Sequence, residues 1–344
     1  RLYGAGRRAR LLLDAAREAT ADAIGARADE VSFCANGAQA LHAAVLGAIA
    51  GRPGADRGVV HSAVEHSAVL AAVARHVAAG GTATSVDVDH LGRVDTEAFV
   101  AAACRTGFGV AALQAANHEV GTTQPVTAVA ERLGTRTLVV DASQVIGHIA
   151  PPPAWDVLAA DARMWGAPTL GILAVRTGRR WQSPFPSDER EAGRVPGLPN
   201  LPAIVAAAAT LRAVEAERSA RAQQHRAMID RIRAAVVATV PDVEVLGDPV
   251  DRLPHIVTFS CLYADGEALL AGLDRRGFAV SSGSSCTSSA LQPSHVLVAM
   301  GALTSGNIRV SLHAETADAE VDEFLAVLPG VVADVRAELG AAGL

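Results

Sequence analysis

The chain has 344 residues, half of them hydrophobic and 19% charged, with a formal net charge of −6 and a pI near 6.0. This balance describes a globular chain able to bury a large core, and it speaks against nucleic acid or an acidic membrane surface as a partner. All 30 basic residues are arginine, because the chain contains no lysine.

No apolar run reaches the length of a membrane span. Cys34, Cys104, Cys261 and Cys286 show neither C-x-x-C spacing nor a disulfide-dense pattern, so no metal site and a reducing cytoplasm are expected. The chain begins at Arg1 without an initiator Met or signal peptide, and further residues upstream are expected.

Helical periodicity over residues 9–24 is followed by a strand at 30–34 and a helix over 37–51. Strand patterns then alternate with helical ones: strands at 58–62, 82–88, 109–115 and 137–143, helices at 65–79, 95–104 and 126–134. Short apolar strands separated by helices predict a mostly parallel, doubly wound α/β sheet covered on both faces. After a strand at 171–176, residues 177–200 are rich in Pro, Gly and charge and are expected to form a long surface loop. A long helix from about 202 to 240 follows. The remainder carries strands at 243–247, 255–261 and 307–313, a helix at 266–277, a Ser/Gly-rich loop at 281–289 and a closing helix from about 316. The expected organisation is a large domain over 1–219 and a small α+β domain over 220–344.

Four motifs occur in order along this pattern: Glu65-His66-Ser67-Ala68-Val69-Leu70, then Ala116-Asn117-His118-Glu119-Val120-Gly121-Thr122, then Val140-Asp141-Ala142-Ser143-Gln144, and last Ser282-Gly283-Ser284-Ser285-Cys286-Thr287-Ser288 followed by the block from Leu291 to Leu297. With them the chain resembles the cysteine desulfurases of the class V aminotransferase group, which have fold type I for pyridoxal phosphate (PLP). One such motif is weak evidence, but four in sequence with compatible spacing are strong.

The resemblance implies a cofactor, PLP, and a role for each retained residue. Asp141 corresponds to the carboxylate that pairs with the pyridine nitrogen, Gln144 to the group that bonds the ring hydroxyl, and Asn117 to a further cofactor contact. His66 corresponds to the histidine that stacks on the ring and relays protons. Arg309, in Asn307-Ile308-Arg309-Val310-Ser311, corresponds to the clamp on the substrate carboxylate. Cys286 corresponds to the thiol that takes up sulfur as a persulfide and passes it to an acceptor protein. Residue by residue, plainer readings stay open: Asp141 and His66 as helix caps, Gln144 as a solvated side chain, Arg309 as an exposed strand residue and Cys286 as an idle surface thiol. Cys34, Cys104 and Cys261 are expected to be small packed hydrophobes.

The departures from the family pattern cluster at the cofactor. Where the family has Ser-x-His-Lys, this chain has Asp161-Ala162-Arg163-Met164, which puts Met164 at the Schiff-base position. Arg163 is the one new cation there: it is expected to bind the cofactor and recover part of the lost phosphate binding, although a guanidinium does not act as an amine nucleophile. Ala38 and Leu198 stand where the family has phosphate-binding threonines, and His118 replaces the second Asn of Asn-Asn-Glu. The expected function is a desulfurase-like protein of sulfur metabolism in which Cys286 accepts or relays a persulfide. The alternatives are a non-catalytic partner of an active desulfurase and a desulfurase that holds PLP without a covalent link. A homodimer, or a heterodimer with a related desulfurase, is the expected assembly, with the loop over 177–200 reaching the neighbour.

Overall fold

The computed structural model describes residues 3–52, 54, 56–186, 188–282 and 293–340. Cys286 and residues 283–289 of the loop expected around it lie outside the described residues. The chain divides into two compact units, the first comprising Arg1–Asp87, Val94–Ala116 and Gln124–Ser219, the second Val88–Arg93, Asn117–Thr123 and Ala220–Leu344.

In the first unit, strands β1 (Val31–Cys34), β2 (Gly58–Ser62), β3 (Ala83–Val86), β4 (Phe108–Gln114), β5 (Thr137–Asp141), β6 (Val157–Asp161) and β7 (Gly171–Val175) form a seven-stranded sheet in the order β1-β7-β6-β5-β4-β2-β3. The run from β3 to β6 is parallel, and β7 is antiparallel to both of its neighbours. Helix α1 (Gly4–Ile24) precedes β1, and α2 (Gly37–Ala50), α3 (Ser67–Ala78), α4 (Thr96–Ala103) and α5 (Val126–Ala130) separate the strands from β1 to β5 in sequence. One sheet face, through Val59, Val110, Ala112, Val139, Val157, Ala159 and Leu173, packs with α2 and α3. The alternate residues Val60, Ala111, Leu113, Leu138, Val140 and Leu158 are equally buried, so the strands are apolar on both faces, as a covered parallel sheet requires. Ala40, Ala43, Ala44 and Ala48 are fully buried and give α2 a thin face on which to lie close to the sheet.

Helix α6 (Leu201–Thr239) is 39 residues long. It starts where the Asn200 side chain accepts a hydrogen bond from Ala203 N at 3.3 Å, with Pro202 in the first turn, and it stops just before Pro241. In the second unit, β8 (Val243–Leu246), β9 (Ile256–Cys261) and β10 (Asn307–Ser311) form an antiparallel sheet in the order β10-β9-β8. Phe259, Ile308 and Val310 of this sheet share a core with Ile229, Ile232 and Val236 of α6, Leu269 and Leu273 of α7 (Gly266–Asp274), and Phe324 and Leu328 of α9 (Asp318–Glu338). Among the described residues, no helix is long and apolar enough to cross a membrane.

Two elements go beyond the sequence expectations: β6, which inserts a strand before β7, and the short helix α8 (His295–Met300), which Ser294 caps by accepting from Val296 N and Leu297 N. One expectation is corrected. Cys34 and Cys261 are buried, but Cys104 is exposed, because α4 turns Phe99, Val100 and Ala103 inward and its C-cap residue falls outside that face.

Edge strand β1 is anchored by Glu30, which accepts from Thr177 N at 2.8 Å, Arg27 N at 3.0 Å and Arg176 Nη1 at 3.1 Å. Burial alone would raise the pKa of this carboxyl, but these donors outweigh it and hold the pKa at about 2. A depressed folded-state pKa stabilises above the unfolded value of 4.5, and that contribution is lost as pH falls towards 2. Glu30→Gln should therefore cost about 2 kcal/mol at neutral pH. In urea melts, the gap to wild type should close as pH is lowered from 4.5 towards 2.

Candidate functional site

Parallel pairing brings polar strand ends to one edge of the large sheet. Gln114 of β4 lies opposite Asp141 of β5, and Asp141 lies opposite Ala159 of β6, two residues before Asp161. The carboxyl edge of such a sheet, where helices begin, is where open α/β folds take their ligands. Helices α2 and α3 both start from loops that leave this edge.

Two buried carboxyl groups sit here. Glu65, just beyond β2, is fully buried and accepts at Oε1 from Ser62 Oγ at 2.7 Å and from Gln114 N at 2.9 Å. Burial pushes its pKa up to about 8; those two hydrogen bonds oppose the rise and the neighbouring Asp141 adds to it. The pKa of Asp141 is also raised, first by burial, with His66 and a hydrogen bond from Ser143 N at 2.9 Å pulling the other way. His66 is the N-cap of α3, its Nδ1 accepting from Ala68 N at 3.1 Å. That bond places the proton of a neutral ring on Nε2. The capping role and the position beside Asp141 thus coexist in one side chain.

A short 3₁₀ turn over Ala162–Trp165 follows β6. Gln144 Nε2 donates to Met164 Sδ at 3.2 Å, and His148 Nε2 donates to the Met164 carbonyl oxygen at 2.9 Å. The Asp161 carboxylate accepts from Arg163 N at 3.0 Å, from Arg163 Nε at 3.1 Å and from Arg163 Nη2 at 2.8 Å. Pairing across β7 puts Asp161, Gly171 and Cys34 in one row, after which the chain enters α2. Gly171 permits that entry, since a Cβ there would lie 2.2 Å from the Asn36 carbonyl oxygen.

The second unit holds the other candidates. The Asn117 side chain accepts from Glu119 N at 2.8 Å and Val120 N at 2.9 Å, which shapes the turn through His118 and Glu119. Arg309 lies on β10 between the core residues Ile308 and Val310, and its Nη1 donates to the His118 carbonyl oxygen at 2.9 Å. Glu119 is buried and accepts from Ser294 Oγ at 2.6 Å; burial raises its pKa, while Ser294, His295 and Arg309 oppose that rise. In the first unit, then, the structure gathers His66 with Asp141, Gln144 with Met164, and Arg163 with Asp161. In the second it gathers Asn117 and Arg309 on one turn. Ser62, Gln114, His148 and Ser294 support these groups and were not singled out by sequence. The signal for Gln114 was its place at the end of a predicted strand, as for Asp141.

Among the described residues, no group of three or more His, Cys, Asp or Glu side chains could hold a metal ion. A seven-stranded α/β sheet with this edge, joined to a small α+β unit, defines a class of protein. The chain belongs to the aminotransferase class-V family, whose model matches residues 1–324. It is 37% identical to a cysteine desulfurase of Cereibacter sphaeroides, over 98% of this chain and 88% of that protein. It is 33% identical to a cysteine desulfurase of a Nostoc species, over 94% of this chain and 82% of that protein. Its fold matches the solved structure of a NifS-like protein with a TM-score of 0.88 and 25% identity, covering 96% of this chain and 90% of the other. It is a cysteine desulfurase-like protein.

Glu65 supplies a test of the buried edge. Its folded-state pKa of about 8 exceeds its ordinary value of 4.5, so its stability contribution is complete below 4.5 and is lost as pH rises through 8. Glu65→Gln, which keeps the shape and cannot ionise, should lose less stability than wild type as pH rises from 5 to 8. Parallel changes in the urea midpoints of the two proteins across that range would contradict the assignment.

Proposed function

We propose that this protein handles sulfur without the lysine-dependent PLP chemistry implied by its family resemblance, and that Cys286 accepts and relays a persulfide sulfur. The observation that carries this reading is at residue 164. There the chain has a thioether, which cannot form an imine, and its sulfur is engaged by the same Gln144 that the resemblance assigns to the cofactor ring. No other residue can take over, because the chain contains no lysine. The phosphate end agrees. Asp161 brings a carboxylate where a phosphate-binding serine is expected, and Ala38 has no hydroxyl to offer. The residues present therefore do not fit PLP, and no step is assigned to it.

In the proposed step the Cys286 thiolate attacks the outer sulfur of a donor protein's persulfide. The donor's S–S bond breaks, a new S–S bond forms on Cys286, the proton stays on the transferred sulfur, and the donor leaves as a thiolate. No oxidant or reductant is consumed. Cys34, its thiol pushed up to about 12, and Cys261, pushed up to about 11, both chiefly by burial, do not compete as nucleophiles near neutral pH. Arg309 serves in this reading as a carboxylate-binding group, and His66 as a proton carrier beside Asp141.

A second reading, a non-catalytic subunit paired with another copy or with a lysine-bearing relative, is supported by exposed apolar side chains. Leu11 is 70% exposed and Leu198 75%, and Leu198 borders a groove of about 880 Å³ formed by α1 and the segment from Arg190 to Leu201. Both readings place the protein in sulfur traffic.

Incubation with a persulfide donor protein followed by intact and peptide mass spectrometry tests the first reading. A gain of one sulfur on the Cys286 peptide is expected, abolished in Cys286→Ala. An unmodified Cys286, or an adduct of the same extent in Cys286→Ala, would overturn it.

A further inference from the structure

Helix α2 begins at the carboxyl edge of the large sheet, and a side chain of the protein itself already lies against its first residue. The helix runs from Gly37 to Ala50, with Asn36 capping its third N–H by accepting from Gln39 N at 2.8 Å. Gly37, its first residue, is buried. A Cβ built on Gly37 would lie 2.4 Å from Asp161 Cβ and 2.6 Å from Asp161 Oδ2. The Asp161 carboxylate therefore rests directly on the opening residue of α2, at the positive end of the helix dipole, where α/β proteins seat phosphate groups.

Asp161 is held there firmly. It ends β6 and is fixed in register opposite Gly171. Its side chain is only 10% exposed, whereas that of its partner Arg163 is 58% exposed. Arg163 grips both carboxylate oxygens and also donates its backbone N–H. The Arg163 guanidinium is thus already paired with an internal anion.

We propose that Asp161 is a built-in replacement for a ligand's phosphate: its carboxylate, paired with Arg163 and set against the start of α2, fills the anion seat at this sheet edge and makes the edge select against phosphorylated ring ligands. The selection has two parts. An incoming phosphate meets a carboxylate of like sign already in the seat, and the Arg163 guanidinium beside it is already engaged. A ligand of the same ring class without a phosphate meets neither obstacle. The inference rests on the reading that this site does not run PLP chemistry, but it concerns one residue and can fail separately.

The test is calorimetric titration of wild type, Asp161→Asn, Arg163→Ala and the double variant with inorganic phosphate, PLP and pyridoxal. Asp161→Asn should bind inorganic phosphate and PLP about tenfold or more tightly than wild type, because one like charge is removed and Arg163 is released. Its affinity for pyridoxal should stay within about threefold of wild type. The double variant should lose most of the gain, since the released guanidinium is then absent. Asp161→Ser serves as the second neutral variant if thermal melts show that the asparagine form does not fold. Equal phosphate affinity in wild type and the neutral variants would overturn the inference, as would a gain that survives Arg163→Ala. A stable visible chromophore on adding PLP to wild type would instead overturn the reading of the site's chemistry. The persulfide assay on Cys286 involves neither Asp161 nor phosphate, so its outcome is separate from both.

Discussion

A carboxylate at the end of a buried parallel strand must find a counter-charge, find hydrogen-bond donors, or keep its proton, and this constraint organises the candidate site. Each acid at the edge of the large sheet resolves it differently. Asp161 takes Arg163 as its cation. Asp141 takes the Ser143 amide and the nearby His66 ring. Glu65, with donors on one oxygen and Asp141 nearby, is held towards its neutral form. The same choice recurs in the second unit, where Glu119 receives the Ser294 hydroxyl. Because strand register fixes Asp141 and Asp161, the electrostatics at this edge follow largely from the sheet.

The layer architecture was legible because the strands are short and apolar and the helices between them periodic. The long helix α6 was readable for the same reason, with a Pro near each end to mark its limits. Strand β6 was not. Its five residues, Val157–Asp161, include two alanines and follow a run of prolines, so neither period nor propensity separates them from loop or helix. Helix α8 is only six residues long and too brief to show a period.

The site was legible as a list of residues but not as a set of contacts. Motif order singled out His66, Asp141, Gln144 and Arg309, yet the His66 cap and the Gln144 bond to Met164 depend on backbone placement. The approach of Asp161 to Gly37 was the least visible, because it depends on two antiparallel pairings through β7, which join β6 to β1. In sequence, Asp161 read only as part of the departure from the family's Ser-x-His-Lys pattern. In the structure the same carboxylate has an assigned seat.

The outward position of Cys104 has a practical corollary for studying this chain. Two of the three described thiols are shielded by the core, whereas Cys104 faces solvent at the end of α4. Alkylating and oxidising reagents will therefore register a surface sulfhydryl unrelated to the Cys286 motif, which bulk thiol titrations will count with any other reactive thiol. A serine at position 104 gives the clean background in which sulfur chemistry elsewhere in the molecule can be counted.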